Sequence, residues 1–154
     1  MANNADTLIV AGVLGSAWAD WDDGVAAYAA GDYATAYRSW FPDAEQGDAK
    51  AQFNLGIMYY EGTGVPENDT EAVKWYRMAA EQGDVSAQYN LGNMYGKGEG
   101  VPEDYVKAYM WWLLAKAQGD KEAAGNLDIV KKRMNTAQIG KAQALASEWW
   151  ENHN

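Results

Sequence analysis

The chain has 154 residues, nearly half of them apolar, which is enough for one domain with its own core and excludes wholesale disorder. A formal net charge of −10 leaves no basic stripe for a phosphate backbone or an anionic bilayer, so neither nucleic acid nor a membrane is the expected partner. No cysteine is present, which rules out disulfides and thiolate metal sites.

Residues 7–19, TLIVAGVLGSAWA, form an apolar run ending in Ala17-Trp18-Ala19, a small-x-small pattern just before Asp20. That resembles the latter part of a secretory signal peptide, although Asp6 stands where Lys or Arg is expected. The run is too short to span a bilayer as a helix. A cleaved leader would place the protein in the periplasm or outside the cell. The other reading is a first helix packed on the end of a cytoplasmic protein.

Residues 20–43 read as a helical hairpin, with helical segments before and after Gly31-Asp32. Asp20, Asp22 and Asp23 beside Gly24 resemble a fragment of a calcium loop, but the alternating ligands and distal Glu of a full loop are missing. An acidic helix start is the simpler reading.

Residues 44–79 and 80–115 are two copies of one 36-residue unit, identical at 20 of 36 positions. Each copy predicts two helices. The first opens at Asp48 or Asp84, whose carboxylate caps the free N–H groups of the first turn. It carries Ala51, Leu55, Met58 and Tyr59 as one apolar stripe. Gly56 and Gly92 sit inside these helices, where glycine costs about 1 kcal/mol relative to alanine. A neighbouring helix too close for a side chain explains that repeated cost. The turns Gly62-Thr63-Gly64-Val65-Pro66 and Gly98-Glu99-Gly100-Val101-Pro102 follow. GKGEG is not a phosphate loop, because Lys97 precedes Gly98 and not Ser or Thr.

The second helix starts at Asn68, with Glu71 placed for a capping box, or at Asp104, where Lys107 leaves only the cap. Ala72, Trp75, Tyr76 and Ala79 are answered by Ala108, Trp111, Trp112 and Ala115, small and aromatic residues that read as interhelical packing. A partial copy over 116–134 keeps Ala123, Asn126 and Leu127 but lacks the glycine turn. Residues 135–154 predict an amphipathic closing helix, capped by Asn135 or Thr136, with Ile139, Ala142 and Leu145 on its apolar side.

The pattern A-x-x-x-L-G-x-x-Y-x-x-G-x-G-V, then A-x-x-W-x-x-x-A, then Q-G-D resembles the Sel1-like repeat family, a branch of the tetratricopeptide-like helical solenoids. The resemblance implies an all-α, right-handed solenoid of stacked antiparallel helix pairs with a C-terminal capping helix. It implies a scaffold, adaptor or regulator that binds a protein or peptide.

Candidate chemistry is sparse. The one histidine, His153, is next to the C-terminus and is expected to be solvated. No G-x-S-x-G or S-x-x-K pattern provides a nucleophile with a base. No catalytic residue, metal ligand or cofactor is therefore expected. The first helix of each pair is expected to line a concave groove. Its partner-binding candidates are Lys50, Phe53, Asn54, Ile57 and Tyr60 in one copy, and Ser86, Tyr89, Asn90, Asn93 and Lys97 in the next. Asn126 completes an Asn54–Asn90–Asn126 series whose amides could grip an extended peptide or satisfy the protein's own backbone. Phe53 and Tyr89 are the expected anchors. An enzyme or enzyme inhibitor acting in the cell envelope and a self-assembling repeat protein are the alternatives. The expected state is a monomer or a weak homo-oligomer.

Overall fold

The computed structural model describes residues 20–154, so the leader-like segment lies outside the described residues. Those residues form eight helices and no strand: α1 (Asp20–Ala29), α2 (Tyr33–Glu45), α3 (Ala49–Glu61), α4 (Asp69–Glu81), α5 (Val85–Lys97), α6 (Tyr105–Ala117), α7 (Glu122–Lys131) and α8 (Thr136–His153). Helices α1/α2, α3/α4 and α5/α6 pack as antiparallel pairs, and each pair stacks on the next through α2 against α3 and α4 against α5. The last helix packs on α6, which also contacts α7.

The expected caps are formed. Asp48 and Asp84 accept from the backbone N–H of Ala51 and Ala87 at 2.8 Å, and Asn68 and Asp104 accept from Glu71 and Lys107. Each such cap contributes about 1 kcal/mol. The reciprocal half of the box expected at Glu71 is not made, because the Glu71 carboxylate lies 3.5 Å from Lys74. A complete box occurs instead at Asn135 and Gln138, at the start of α8. Helix α2 runs through Pro42 to Glu45.

A helix meets an aromatic ring across a bare glycine in three places. A Cβ on Gly56 would stand 2.5 Å from the Tyr76 ring, and one on Gly92 would stand 2.5 Å from the Trp112 indole nitrogen. Gly24 lies against Trp40 in the same way. Each first helix therefore meets an aromatic of its own second helix across a bare backbone. In the turns, Gly62 and Gly98 end α3 and α5 in the left-handed conformation. Gly64 and Gly100 do a different job: they rest on the backbone of Tyr33 and Asp69 in the first turn of the preceding pair's second helix. A side chain there would push consecutive pairs apart.

Two buried glutamines also tie the pairs together. Gln52 donates to the Ala44 carbonyl and accepts from Gln82, and Gln88 donates to the Ala80 carbonyl and accepts from Gln118. Each side-chain amide thus joins three helices where one pair meets the next. A buried amide stripped of such partners would destabilise by about 1–3 kcal/mol.

Helix α8 buries Ala142, Ala146 and Trp149, with Ile139 and Leu145 half-buried beside them. The Trp149 indole donates to Glu81 at 3.2 Å and its ring meets Trp111 edge-on. His153 is exposed, as expected, but its ring has partners. It stacks on Trp149 with ring centroids 4.1 Å apart, its Nδ1 is 2.6 Å from the Trp149 carbonyl oxygen, and its Nε2 lies 3.9 Å from Glu81.

Candidate functional site

The face formed by the first helices α3, α5 and α7 carries two adjoining hollows. The upper one, about 70 Å³, is bounded by Tyr60, Tyr76, Asn90, Asn93, Met94, Lys97 and Glu99. The lower one, about 190 Å³, lies between α5, α6 and α7 and shares Asn93 and Lys97 with the first. They are the same place in consecutive repeats. Advancing by the 36-residue period takes Tyr60 to Gly96, Tyr76 to Trp112 and Asn90 to Asn126, and all three destinations line the lower hollow. The same step takes Asn93 to Ile129, Met94 to Val130 and Lys97 to Arg133, which also line it.

The difference in size has two causes. The phenol that Tyr60 contributes one repeat earlier is missing at Gly96, where the Trp112 ring lies so close that an added Cβ would stand 2.9 Å from it. The turn after α5 also sends Glu99 back into the upper hollow, where its carboxylate accepts from the Tyr60 hydroxyl at 3.3 Å and lies 3.9 Å from Lys97. Helix α7 is followed by no such turn. Its Arg133 donates to the Tyr105 hydroxyl at 3.1 Å and lies over the Tyr105 ring, and this bond raises the guanidinium's pKa. Among the described residues no carboxylate forms an ion pair with Arg133.

Polar groups inside the hollows are held in place. Asn126 donates to Asn93 at 3.0 Å, and the same Asn93 oxygen accepts from the Trp112 indole at 3.2 Å. Burial raises the Tyr76 hydroxyl's pKa above the ordinary phenol value, while the neighbouring Asn90 amide acts the other way. The asparagines thus serve the protein's own side chains on their inner edges and keep the rest of their hydrogen-bonding capacity at the surface.

Of the expected candidates, the structure brings Tyr60, Asn90, Asn93, Lys97 and Asn126 together at these hollows. Lys50 and Ser86 are exposed on the first turns of α3 and α5, outside both, and Asn54 is half-buried on α3. Phe53, Ile57 and Tyr89 are half-buried against the core, so the rings expected as anchors at 53 and 89 are only partly open to a partner. The Phe53 ring centroid is 5.9 Å from that of Tyr76, and the Tyr89 carbonyl accepts from Trp112. Ile129 and Arg133 escaped the sequence reading, which bounded the partial copy at 116–134 but matched its residues only as far as Leu127. Carrying the same period six residues further reaches both. Ile129 is 61% exposed and Tyr60 38%, so each hollow has an uncovered apolar edge.

A third hollow, about 430 Å³, lies between α6 and α8 beside the exposed Trp150. Among the described residues no group of His, Cys, Asp and Glu is placed to hold a metal ion, and no helix is long and apolar enough to cross a membrane.

The chain matches the family model described as Sel1 repeat over residues 49–84 and 85–120, so that each unit begins with its first helix. No curated protein matches it. Two solved structures are similar. One is a protective antigen present in uropathogenic Escherichia coli strains that displays an SLR fold, with a TM-score of 0.83 and 31% identity, covering 89% of this chain and 30% of that one. The other is a Sel1 repeat protein from Oxalobacter formigenes, with a TM-score of 0.68 and 30% identity, covering 82% of this chain and 54% of that one. The chain therefore spans about a third of the first relative and about half of the second.

Proposed function

This chain is a Sel1-repeat protein, and from that premise we propose that it is a non-catalytic scaffold or adaptor that holds an extended segment of a partner protein along α3, α5 and α7. Sel1 repeats are generally protein-interaction modules. The observation that carries the reading is the recurrence of one hollow at equivalent positions of successive repeats, each with an apolar edge and a cation. Repeated subsites suit a repeated ligand, and an extended polypeptide is one. Surface-exposed Ile and Tyr beside such hollows are the residues a partner would cover.

The test is partner capture by the immobilised chain, comparing wild type with the double variant Tyr60→Asp/Ile129→Asp. Both side chains are exposed, so the melting temperature should stay within about 2 °C. Loss of every specifically captured protein is expected; full retention contradicts the assignment of this face.

Export is part of the proposal, on the strength of the Ala17-Trp18-Ala19 pattern. N-terminal sequencing of the protein from its native cells should begin at Asp20, and a start at Met1 or Ala2 would place it in the cytoplasm.

A further inference from the structure

Helices α5, α6 and α7 enclose a hollow that has a counterpart one repeat earlier, and the counterpart is partly filled. In the upper hollow the occupant is the chain's own Glu99. Its carboxylate reaches the Lys97 ammonium and the Tyr60 hydroxyl from the turn that follows α5. The lower hollow keeps the cation at the matching position, as Arg133, and a phenol beside it, as Tyr105. It has lost the turn that would supply a carboxylate, because the third repeat has no G-x-G-V segment. It also has nearly three times the volume. The carboxylate closest in influence, Glu103, adds to the stabilisation of the charged guanidinium but does not pair with it.

Resting on the groove reading above, we infer that the lower hollow accepts an acidic side chain, Glu or Asp, from an extended partner segment. Its carboxylate meets Arg133 as Glu99 meets Lys97. The floor explains what accompanies the acid. Trp112 and Val130 are buried, and Ile129 stands open at the edge, so an apolar residue next to the acid is covered when the carboxylate docks. Arg133 is pre-positioned by its bond to Tyr105, which lowers the ordering cost of a two-pronged contact with a carboxylate. In a chain of net charge −10, a cation without a carboxylate partner at the edge of an apolar hollow selects for acid where the surrounding field opposes it.

The experiment uses the full chain, labelled with ¹⁵N, and three fluorescein-tagged heptapeptides: Gly-Ser-Leu-Glu-Leu-Ser-Gly and its twins with Gln or Lys in place of Glu. Fluorescence polarisation gives affinities, and the Trp112 indole and neighbouring amide resonances locate the site. The Glu peptide should bind about tenfold more tightly than the Gln peptide, the range expected of one charge-assisted contact. Arg133→Gln should remove that preference without changing the fold. Glu99→Ala should open the upper hollow, so that the Glu peptide now also shifts resonances around Tyr60 and Asn90, which line that hollow alone. Binding at the lower hollow without acid preference, or with a preference that survives Arg133→Gln, overturns this inference and leaves the groove standing. Peptide shifts at neither hollow would overturn both.

Discussion

Replacing Gly92 by alanine should unfold this protein at a markedly lower temperature, although alanine is the better helix former. An added Cβ would stand 2.5 Å from the Trp112 Nε1 and 2.7 Å from its Cδ1. Neither distance is tolerable, so the indole must withdraw or α5 and α6 must separate. Overfilling a packed contact of this kind costs about 1–3 kcal/mol. The indole N–H is held by the Tyr89 carbonyl and Asn93 at 3.2 Å each, and displacing it strands a mostly buried donor, at about 1–3 kcal/mol more. Against this stands the helix-propensity gain of about 1 kcal/mol. The net is a loss of roughly 3 kcal/mol, or about 6–12 °C in melting temperature for a domain of this size. Gly125→Ala is the control. It lies in α7, an added Cβ there meets no atom within 4 Å, and it should raise the melting temperature by about 2–4 °C. Thermal unfolding followed by circular dichroism measures both. If Gly92→Ala melts at or above wild type, the close approach of helix to aromatic is not what the glycine is for.

Gln88→Met should lower stability by about 2–3 kcal/mol in urea unfolding, because the Ala80 carbonyl and the Gln118 amide each lose a partner. An unchanged midpoint would show that the glutamine relay contributes nothing. Trp149→Ala should cost about 3–5 kcal/mol by emptying the contact between α8 and Trp111, with α8 the first segment to gain hydrogen exchange. Loss confined to the last turn of α8 would refute its role as the cap. Burial raises the Tyr37 and Tyr76 hydroxyls above the ordinary phenol value, so their neutral forms are favoured in the folded state. That contribution is fully present below the unfolded phenol pKa of about 10 and is lost as pH rises beyond it. Urea unfolding from pH 8 upward should therefore show stability falling above about pH 10, and the double variant Tyr37→Phe/Tyr76→Phe should flatten that fall.

The features legible in the sequence are those that repeat. The two copies announce the period, Asp48 and Asp84 announce the caps, and the paired Gly56 and Gly92 announce helices without room for a side chain. Gly24 belongs to the same series, but a shorter turn in the first hairpin puts it out of register with the period. The glutamine relay was hidden because a polar residue beside an alanine reads as surface. Only its contacts with carbonyls on the preceding helix show that Gln52 and Gln88 are buried. The site was half legible for a related reason. Hydrophobic periodicity says which residues leave the stripe but not how far they stand clear of it. Phe53 and Tyr89 leave it and still pack inward, whereas Tyr60 and Ile129 are uncovered. Arg133 was hidden because identity between copies fades after Leu127, while the helix carries the register on to Lys131. His153 depends on a contact between distant segments, Glu81 and the end of α8, which no local pattern encodes.

Where the partner sits is settled most directly by light-activated crosslinking in native cells. A benzophenone side chain would replace Tyr60 in one variant, on the face of the first helices, and the exposed Met78 of α4 in another. The account predicts a discrete crosslinked partner from position 60 and none from position 78. A partner joined through position 78, with position 60 silent, would put the binding surface on the second helices and contradict it.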